Sequence, residues 1–277
     1  MIDRLGRLRR ALPLAFVAVV AVGTLLGIRL ETVPAAPVAA ATAVHLALGE
    51  VGRGRVLVAF DADIGTYPEI RPALRAALAQ LVRGGASLSL VSYTPEGRAL
   101  ALDELDRLRR GGVEEGRLLD LGFHAGAEAG LVAGVTSIVP AEADGALANA
   151  LREAGPGIGA FDVVLVVGGN ELGPRSWVEQ VGTRLPDVPI VGIAPTSLLP
   201  QAVPYRTTGQ LAGLVVGARE VAAYVVAVRD DPAAGAAQLT DTPPSSIPLL
   251  IGMLMTLLLL ADAIASRWRG APHGGAA

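Results

Sequence analysis

Cysteine and lysine are both absent from this 277-residue sequence. Without cysteine, the chain cannot form disulfides, thiolate nucleophiles, iron–sulfur clusters or cysteine-ligated zinc sites. All 23 basic residues are arginine, so a P-loop lysine and a Schiff-base lysine are excluded as well. The net charge of −3 provides no basic field, and we therefore expect no nucleic-acid partner.

Two nearly uncharged segments, one near each end, are long enough to cross a bilayer. Residues 11–28 carry no charge and would extend about 27 Å as a helix. Residues 247–265 are apolar except for Asp262 near the end. The first segment could instead be a cleaved signal peptide, but it exceeds the apolar length of about 7–15 residues typical of one. We therefore predict an N-terminal signal anchor and a C-terminal transmembrane helix.

Arginines flank both predicted spans on their terminal sides. Four arginines lie within residues 1–10, and Arg267 and Arg269 follow the second span. The positive-inside rule then predicts that both termini face the cytoplasm, with the intervening domain outside it. Arg29 opposes this orientation. The lipid bilayer is thus an expected partner, together with other membrane proteins.

These signals divide the chain into seven predicted segments. They are a cytoplasmic basic segment (1–10), a transmembrane helix (11–28), a juxtamembrane linker (29–52), an α/β domain (53–228), a second linker (229–246), a transmembrane helix (247–265) and a cytoplasmic tail (266–277).

The middle of the chain alternates short apolar runs with helix-like segments. Strands are predicted at 56–60, 87–93, 117–123, 161–167 and 188–193, and helices at 69–82, 95–110, 143–152 and 176–185. This alternation predicts a doubly wound, mostly parallel open sheet of Rossmann or flavodoxin type. Residues 209–228 are also mostly apolar, but Arg219 and Glu220 at their centre would be costly in a bilayer. We interpret them as a helix packed on the sheet.

Polar residues follow the predicted strands, at the sheet edge where ligands of such folds bind. The candidate catalytic residues are Asp61, Asp63 and His124. The candidate ligand-binding residues are Thr94, Gly122, Gly168, Gly169, Asn170, Glu171, Thr196 and Ser197.

Asp61 and Asp63 directly follow the first strand and resemble the first motif of haloacid-dehalogenase-like phosphatases. In that family the first aspartate attacks phosphorus and the second is the acid/base, while a hydroxyl such as Ser92 or Thr94 would supply the second motif. No lysine exists for the third motif, and no acidic pair for Mg²⁺ follows the later strands. We therefore predict no metal or cofactor. The alternative is that both aspartates cap the next helix and accept loop N–H groups.

The other candidates give weaker signals. Gly168 to Glu171 could cradle a phosphate at a helix N-terminus, but the segment does not match G-x-G-x-x-G, and a tight turn is the alternative. His124 is the only histidine in the predicted domain, and no G-x-S-x-G serine accompanies it. A loop histidine without a catalytic role is the simpler interpretation.

Several segments together resemble a family of bacterial membrane-anchored Rossmann-like proteins that has no established activity. The matching pieces are Phe60 to Asp63 with Glu69 and Pro72, Pro95 to Gly97, Leu121 to Gly126 with Glu128, Phe161-Asp162, Trp177-Val178, and Gly209 to Gly213 running to Tyr224. The resemblance covers about residues 55–265, and His124 stands where relatives tend to carry lysine. It implies the α/β architecture, the C-terminal span and a bacterial plasma membrane.

Two functions are compatible with the sequence. One is a membrane-tethered, non-catalytic binding or assembly module, favoured by the incomplete catalytic set and the double anchor. The alternative is a phosphoester hydrolase or transferase that uses the Asp61/Asp63 rim.

Overall fold

The computed structural model describes residues 38–169 and 171–230, which all belong to one compact unit. A six-stranded sheet has the order β3-β2-β1-β4-β5-β6, and every neighbouring pair is parallel. The strands are β1 Arg55–Asp61, β2 Ser87–Ser92, β3 Leu118–Phe123, β4 Val163–Gly168, β5 Ile190–Ala194 and β6 Gly213–Val216. This confirms the predicted parallel α/β sheet, and the strand order is the one typical of Rossmann folds.

Helices connect the strands. They are α1 Ala39–Gly49, α2 Tyr67–Gly84, α3 Pro95–Arg110, α4 Ala127–Thr136, α5 Ala146–Ala154, α6 Pro174–Trp177, α7 Leu199–Thr207 and α8 Gly217–Asp230. Helix α6 continues as a π-helical turn over Val178–Gly182. Single 3₁₀ turns lie at Glu115–Arg117, Ile158–Ala160 and Thr196–Leu198.

The strands are buried on both faces, which explains why they are continuous apolar runs in the sequence. On β1, Val56, Val58 and Phe60 enter one core while Leu57 and Ala59 enter the other, because successive side chains point to opposite faces. The first core contains buried residues of α1, α2, α3 and α8. The second contains buried residues of α4 to α7. The domain is therefore a three-layer sandwich.

Helix α1 lies within residues 29–52, which the sequence analysis assigned to a linker. Its side chains Ala41, Val44 and Leu48 are buried. Gly213 at the start of β6 approaches so closely that a Cβ there would lie 2.8 Å from a methyl group of Val44. The alanine-rich sequence suggested a linker, but small side chains are what allow this close packing. The folded domain therefore begins at or before residue 39.

Residues 209–228, predicted as one helix, contain both β6 and most of α8. The strand is only four residues long and passes directly into the helix at Gly217, whose φ is +75°. A left-handed backbone of this kind is readily adopted by glycine alone. Because the sequence stays apolar across the boundary between β6 and α8, its hydrophobic periodicity does not indicate where the strand ends and the helix begins. Helix α4 was likewise not foreseen in the Ala/Gly-rich region that contains it.

The membrane predictions fall largely on other parts of the chain. Within residues 38–169 and 171–230, no helix is both long and apolar enough to cross a membrane. The predicted spans at 11–28 and 247–265 lie outside the described residues.

Candidate functional site

The strand order reverses between β1 and β4, and this topological switch point is where Rossmann folds bind ligands. Asp61 and Gly168 pair at the ends of the two strands. The N–H of Gly169 donates to the Asp61 carbonyl at 3.2 Å. A Cβ on Gly169 would lie only 2.4 Å from Thr66 Oγ1 and 2.5 Å from Asp63 Oδ2. The two loops therefore fill the crevice with the protein's own atoms.

Asp63 is used to start helix α2. Its Oδ1 accepts the Thr66 N–H at 2.8 Å, and its Oδ2 accepts the Thr66 hydroxyl at 2.7 Å. Both carboxylate oxygens are thus engaged within one turn of their own loop. This geometry matches the alternative in which the aspartate accepts loop N–H groups, and it does not direct the carboxylate at a bound substrate.

Asp61 is fully buried. Its Oδ1 accepts the backbone N–H of Tyr93 at 2.7 Å and makes a long contact of 3.4 Å with the Ser92 hydroxyl. Burial is the main cause that raises the pKa of Asp61 from 3.8 to about 7, and the hydrogen bonds of Tyr93, Trp177 and Ser92 oppose it only in part. A carboxyl group enclosed in this way has no open face for attack on phosphorus.

The loop after β2 is tied to the loop after β1. Glu96, in the first turn of α3, accepts the Ile64 N–H at 3.0 Å. Thr94 caps the same helix by accepting the Gly97 N–H at 3.1 Å. A Cβ on Gly97 would lie 2.0 Å from the Phe60 carbonyl oxygen, so this helix approaches β1 as closely as glycine permits.

Carboxylates also accept backbone N–H groups at or next to the ends of β3, β5 and β6. Glu69 accepts both the N–H and the hydroxyl of Thr196 beyond β5, at 3.0 and 2.5 Å. Asp120 accepts the Gly122 N–H on β3, and Glu220 accepts the Val216 N–H on β6, each at 2.9 Å.

A common pattern results at the carboxyl edge of the sheet. At or next to the ends of five strands, a backbone N–H donates to a carboxylate of the same chain. These donors are Ile64 and Thr66 (β1), Tyr93 (β2), Gly122 (β3), Thr196 (β5) and Val216 (β6). We call this arrangement the carboxylate-capped edge. The loop after β1, which holds two of these donors, is the position that binds phosphate in nucleotide-binding folds.

The predicted site residues do not converge on one pocket. Gly122 lies near the end of β3 and His124 directly follows it, whereas Thr196 and Ser197 follow β5. Four inter-strand spacings of ~4.8 Å place these two strand ends about 19 Å apart. The His124 ring contacts the Leu121 carbonyl at 3.1 Å and packs on Tyr93.

The candidates beyond β4 form no enclosed site either. Glu171 is exposed, and its backbone carbonyl accepts the Ser176 hydroxyl at 2.6 Å. Asn170 lies outside the described residues. Near Glu171 the described surface has a shallow, open depression lined by Pro174, Arg175 and Gln201 among others.

Sequence reasoning missed the groups that complete the edge. Glu69 and Glu96 were not proposed as site residues, nor was Trp177, which is fully buried with its ring 5.9 Å from that of Tyr93. Each of the three stands in a segment quoted for the family resemblance, and that was the available signal.

In the part of the chain that the structure describes, no group of three or more His, Asp or Glu side chains is arranged to hold a metal ion. Comparison of the chain with protein-family models, with curated proteins and with solved structures found no match.

Proposed function

We propose that the chain is a membrane-tethered, non-catalytic binding or assembly module. The observation that carries this proposal is the carboxylate-capped edge. In a Rossmann-type enzyme the backbone N–H groups at this edge would hold a phosphate or another anionic substrate. Here the chain's own Asp63, Glu69 and Glu96 occupy those donors.

An anionic ligand would have to displace a carboxylate from these N–H groups, and the displaced carboxylate would then repel the negatively charged ligand. Exposed or part-buried hydrogen bonds such as these contribute about 0.5–1.5 kcal/mol each. The alternative function, a phosphoester hydrolase or transferase at Asp61 and Asp63, would therefore have its substrate compete with these carboxylates for the N–H donors. Asp61 also lacks the exposure that a nucleophile requires.

The edge still offers a surface for another protein. Ile64, in the loop after β1, is 64% exposed, and Phe123, the last residue of β3, is 47% exposed. They flank the start of α3, where Glu96 is exposed. Exposed large apolar side chains beside charged groups are typical of protein contacts of modest size.

The tether belongs to the same proposal. Residues 11–28 and 247–265 are proposed as transmembrane helices with both termini in the cytoplasm. The α/β domain would then lie on the extracytoplasmic side of a bacterial plasma membrane, and its partners would be other membrane proteins. Protease added to cells with an opened outer barrier should cleave the α/β domain, and protection would contradict this orientation.

Site-directed photo-crosslinking in native membranes tests the binding role. A photoreactive residue at Ile64 or Phe123 should give a discrete crosslinked product of higher mass. The matched control is Leu46 on α1, which is 58% exposed but far from this edge in the fold. Absence of a product at both edge positions, or equal products at Leu46, would contradict the proposal.

A substrate panel tests the catalytic alternative. The full chain in detergent should hydrolyse no phosphomonoester, phosphodiester or nucleotide, and Mg²⁺ should not raise its melting temperature. Turnover that Asp61→Asn abolishes, while Asp162→Asn at the opposite end of the sheet leaves it intact, would establish the enzyme instead.

A further inference from the structure

Two buried carboxyl groups of this domain stand in opposite electrostatic environments. Glu104 and Asp61 are both fully buried. Glu104 receives hydrogen bonds from Arg75 and Tyr67 at 2.7 Å each and from Arg107 at 2.5 Å. Its negative charge is therefore matched by two guanidinium groups.

Asp61 has no such compensation. The groups around it are neutral: the Tyr93 N–H and the Ser92 hydroxyl hydrogen-bond to Oδ1, and the Thr94 N–H and the Trp177 indole lie nearby. Among the described residues, neither Asp61 Oδ2 nor Trp177 Nε1 has a hydrogen-bond partner of normal geometry. A buried carboxylate without a counter-charge is costly, and the usual response is to take up a proton.

The elements around Asp61 carry other titratable or charged groups, each with another partner or an exposed position except Tyr93, whose buried hydroxyl has no hydrogen-bond partner among the described residues. Asp63 bonds to Thr66, Glu96 to Ile64, Glu128 to Ser176 and Arg175 to Glu179. The groups on the surrounding elements are Asp63, Tyr93, Glu96, His124, Glu128, Glu171 and Arg175.

We propose that Asp61 is a proton-binding site at the topological switch point, which is protonated in the folded domain, where the junction of β1, β2 and α6 encloses it. The junction is the one defined by the Asp61–Tyr93 hydrogen bond and the adjacent Trp177 indole. Protonation supplies Oδ2 with a hydrogen and removes the unmatched charge. This inference concerns the closed fold and does not depend on the proposed binding function.

The direction of the pH effect follows from burial. Because the pKa of Asp61 rises from 3.8 to about 7, the folded state holds its proton over a pH range in which the unfolded chain has lost it. The Asp61 contribution is fully favourable below about pH 4 and decreases as the pH rises towards 7. The folding equilibrium constant would fall by up to roughly a thousandfold from this group alone.

The fluorescence of Trp177, which lies next to Asp61, can report the protonation state of the Asp61 carboxyl group. Because the chain has two tryptophans, Trp268→Phe in the full chain leaves Trp177 as the only one. In detergent, its emission should titrate with a midpoint near pH 7, and Asp61→Asn should abolish that transition. Ser92→Ala removes a hydroxyl that lowers the pKa of Asp61, so it should move the midpoint upward without removing the carboxyl group.

His124 provides the control, because it is the ionisable ring that packs on Tyr93 beside the proposed site. His124→Gln should leave the transition in place. The proposal is overturned if the Trp268→Phe protein shows no transition, if His124→Gln abolishes it, or if Asp61→Asn retains it. If Asp61→Asn does not fold, the proposal is also overturned when Ser92→Ala leaves the pH midpoint of the Trp177 emission unchanged or lowers it.

Discussion

Glu69 and Thr196, 127 residues apart in the chain, are joined by two hydrogen bonds to one carboxylate oxygen. Glu69 lies in the first turn of α2, and Thr196 begins the turn after β5. The contact joins the start of α2, which follows β1, to the turn after β5, and it therefore crosses the end of β4. It connects segments on the two sides of the switch point. It also occupies an N–H that would otherwise be open to a ligand.

Glu69→Ala should lower the free energy of unfolding by about 1 kcal/mol, because the two hydrogen bonds are partly exposed to solvent. Glu69→Gln keeps an acceptor oxygen and should lose less. Denaturant unfolding of the full chain in detergent measures both. Glu142→Ala, at an exposed loop position, is the control, and an equal loss there would show that Glu69 has no special role.

Gly97→Ala should destabilise the domain by about 3 kcal/mol. The added Cβ would lie 2.0 Å from the Phe60 carbonyl oxygen and 2.6 Å from Thr94 Oγ1, so α3 would have to move away from β1. Gly116→Ala is the matched control, because a Cβ there meets nothing within 4 Å. Thermal unfolding of the two variants gives the comparison, and similar melting temperatures would contradict the close approach.

Glu104→Gln should cost about 3 kcal/mol, since it leaves Arg75 and Arg107 without their buried counter-charge. Burial opposes ionisation of Glu104, but attraction to Arg107 and its hydrogen bonds outweigh burial and hold its pKa below 4.5. The ionised form therefore contributes stability above about pH 4.5, and that contribution is lost as the pH falls through the lower folded-state pKa.

The control for this prediction is Glu115→Gln, which removes an exposed partner of Arg109 and should change stability little. Unfolding curves recorded from pH 3 to pH 8 separate the two variants. A Glu104→Gln protein as stable as the parent at pH 7 would contradict the role of the ion cluster.

Val44→Asp should prevent stable folding, whereas Leu46→Asp on the same helix should be tolerated. Val44 is fully buried against β6, while Leu46 is 58% exposed. An unpaired carboxylate buried at position 44 would cost several kcal/mol. Circular dichroism and protease resistance report the outcome. Equal tolerance of both changes would mean that α1 is not part of the folded domain.

Strands β1 to β5 and helices α2 and α3 could be predicted from the sequence, because each is an apolar run or is apolar on its inward side; the four-residue β6 could not. That Asp63 would accept loop N–H groups could be predicted too, since aspartate after a strand often does so. The environment of Asp61 could not, because it depends on Trp177, which only the tertiary fold brings near. Helix α1 escaped prediction for the same reason, since its inward face is defined by β6 and α8.

Helix α1 also has a consequence for how the chain folds. Gln80 on α2 links the His45 carbonyl on α1, at 2.6 Å, to the Tyr224 hydroxyl on α8, at 2.8 Å. The first helix of the domain therefore docks against α8, the last described helix. During synthesis the apolar side chains of α1 stay exposed until residues beyond 224 have emerged from the ribosome. Contacts of such long sequence separation slow folding, so docking of α1 is a late step in the folding of the domain.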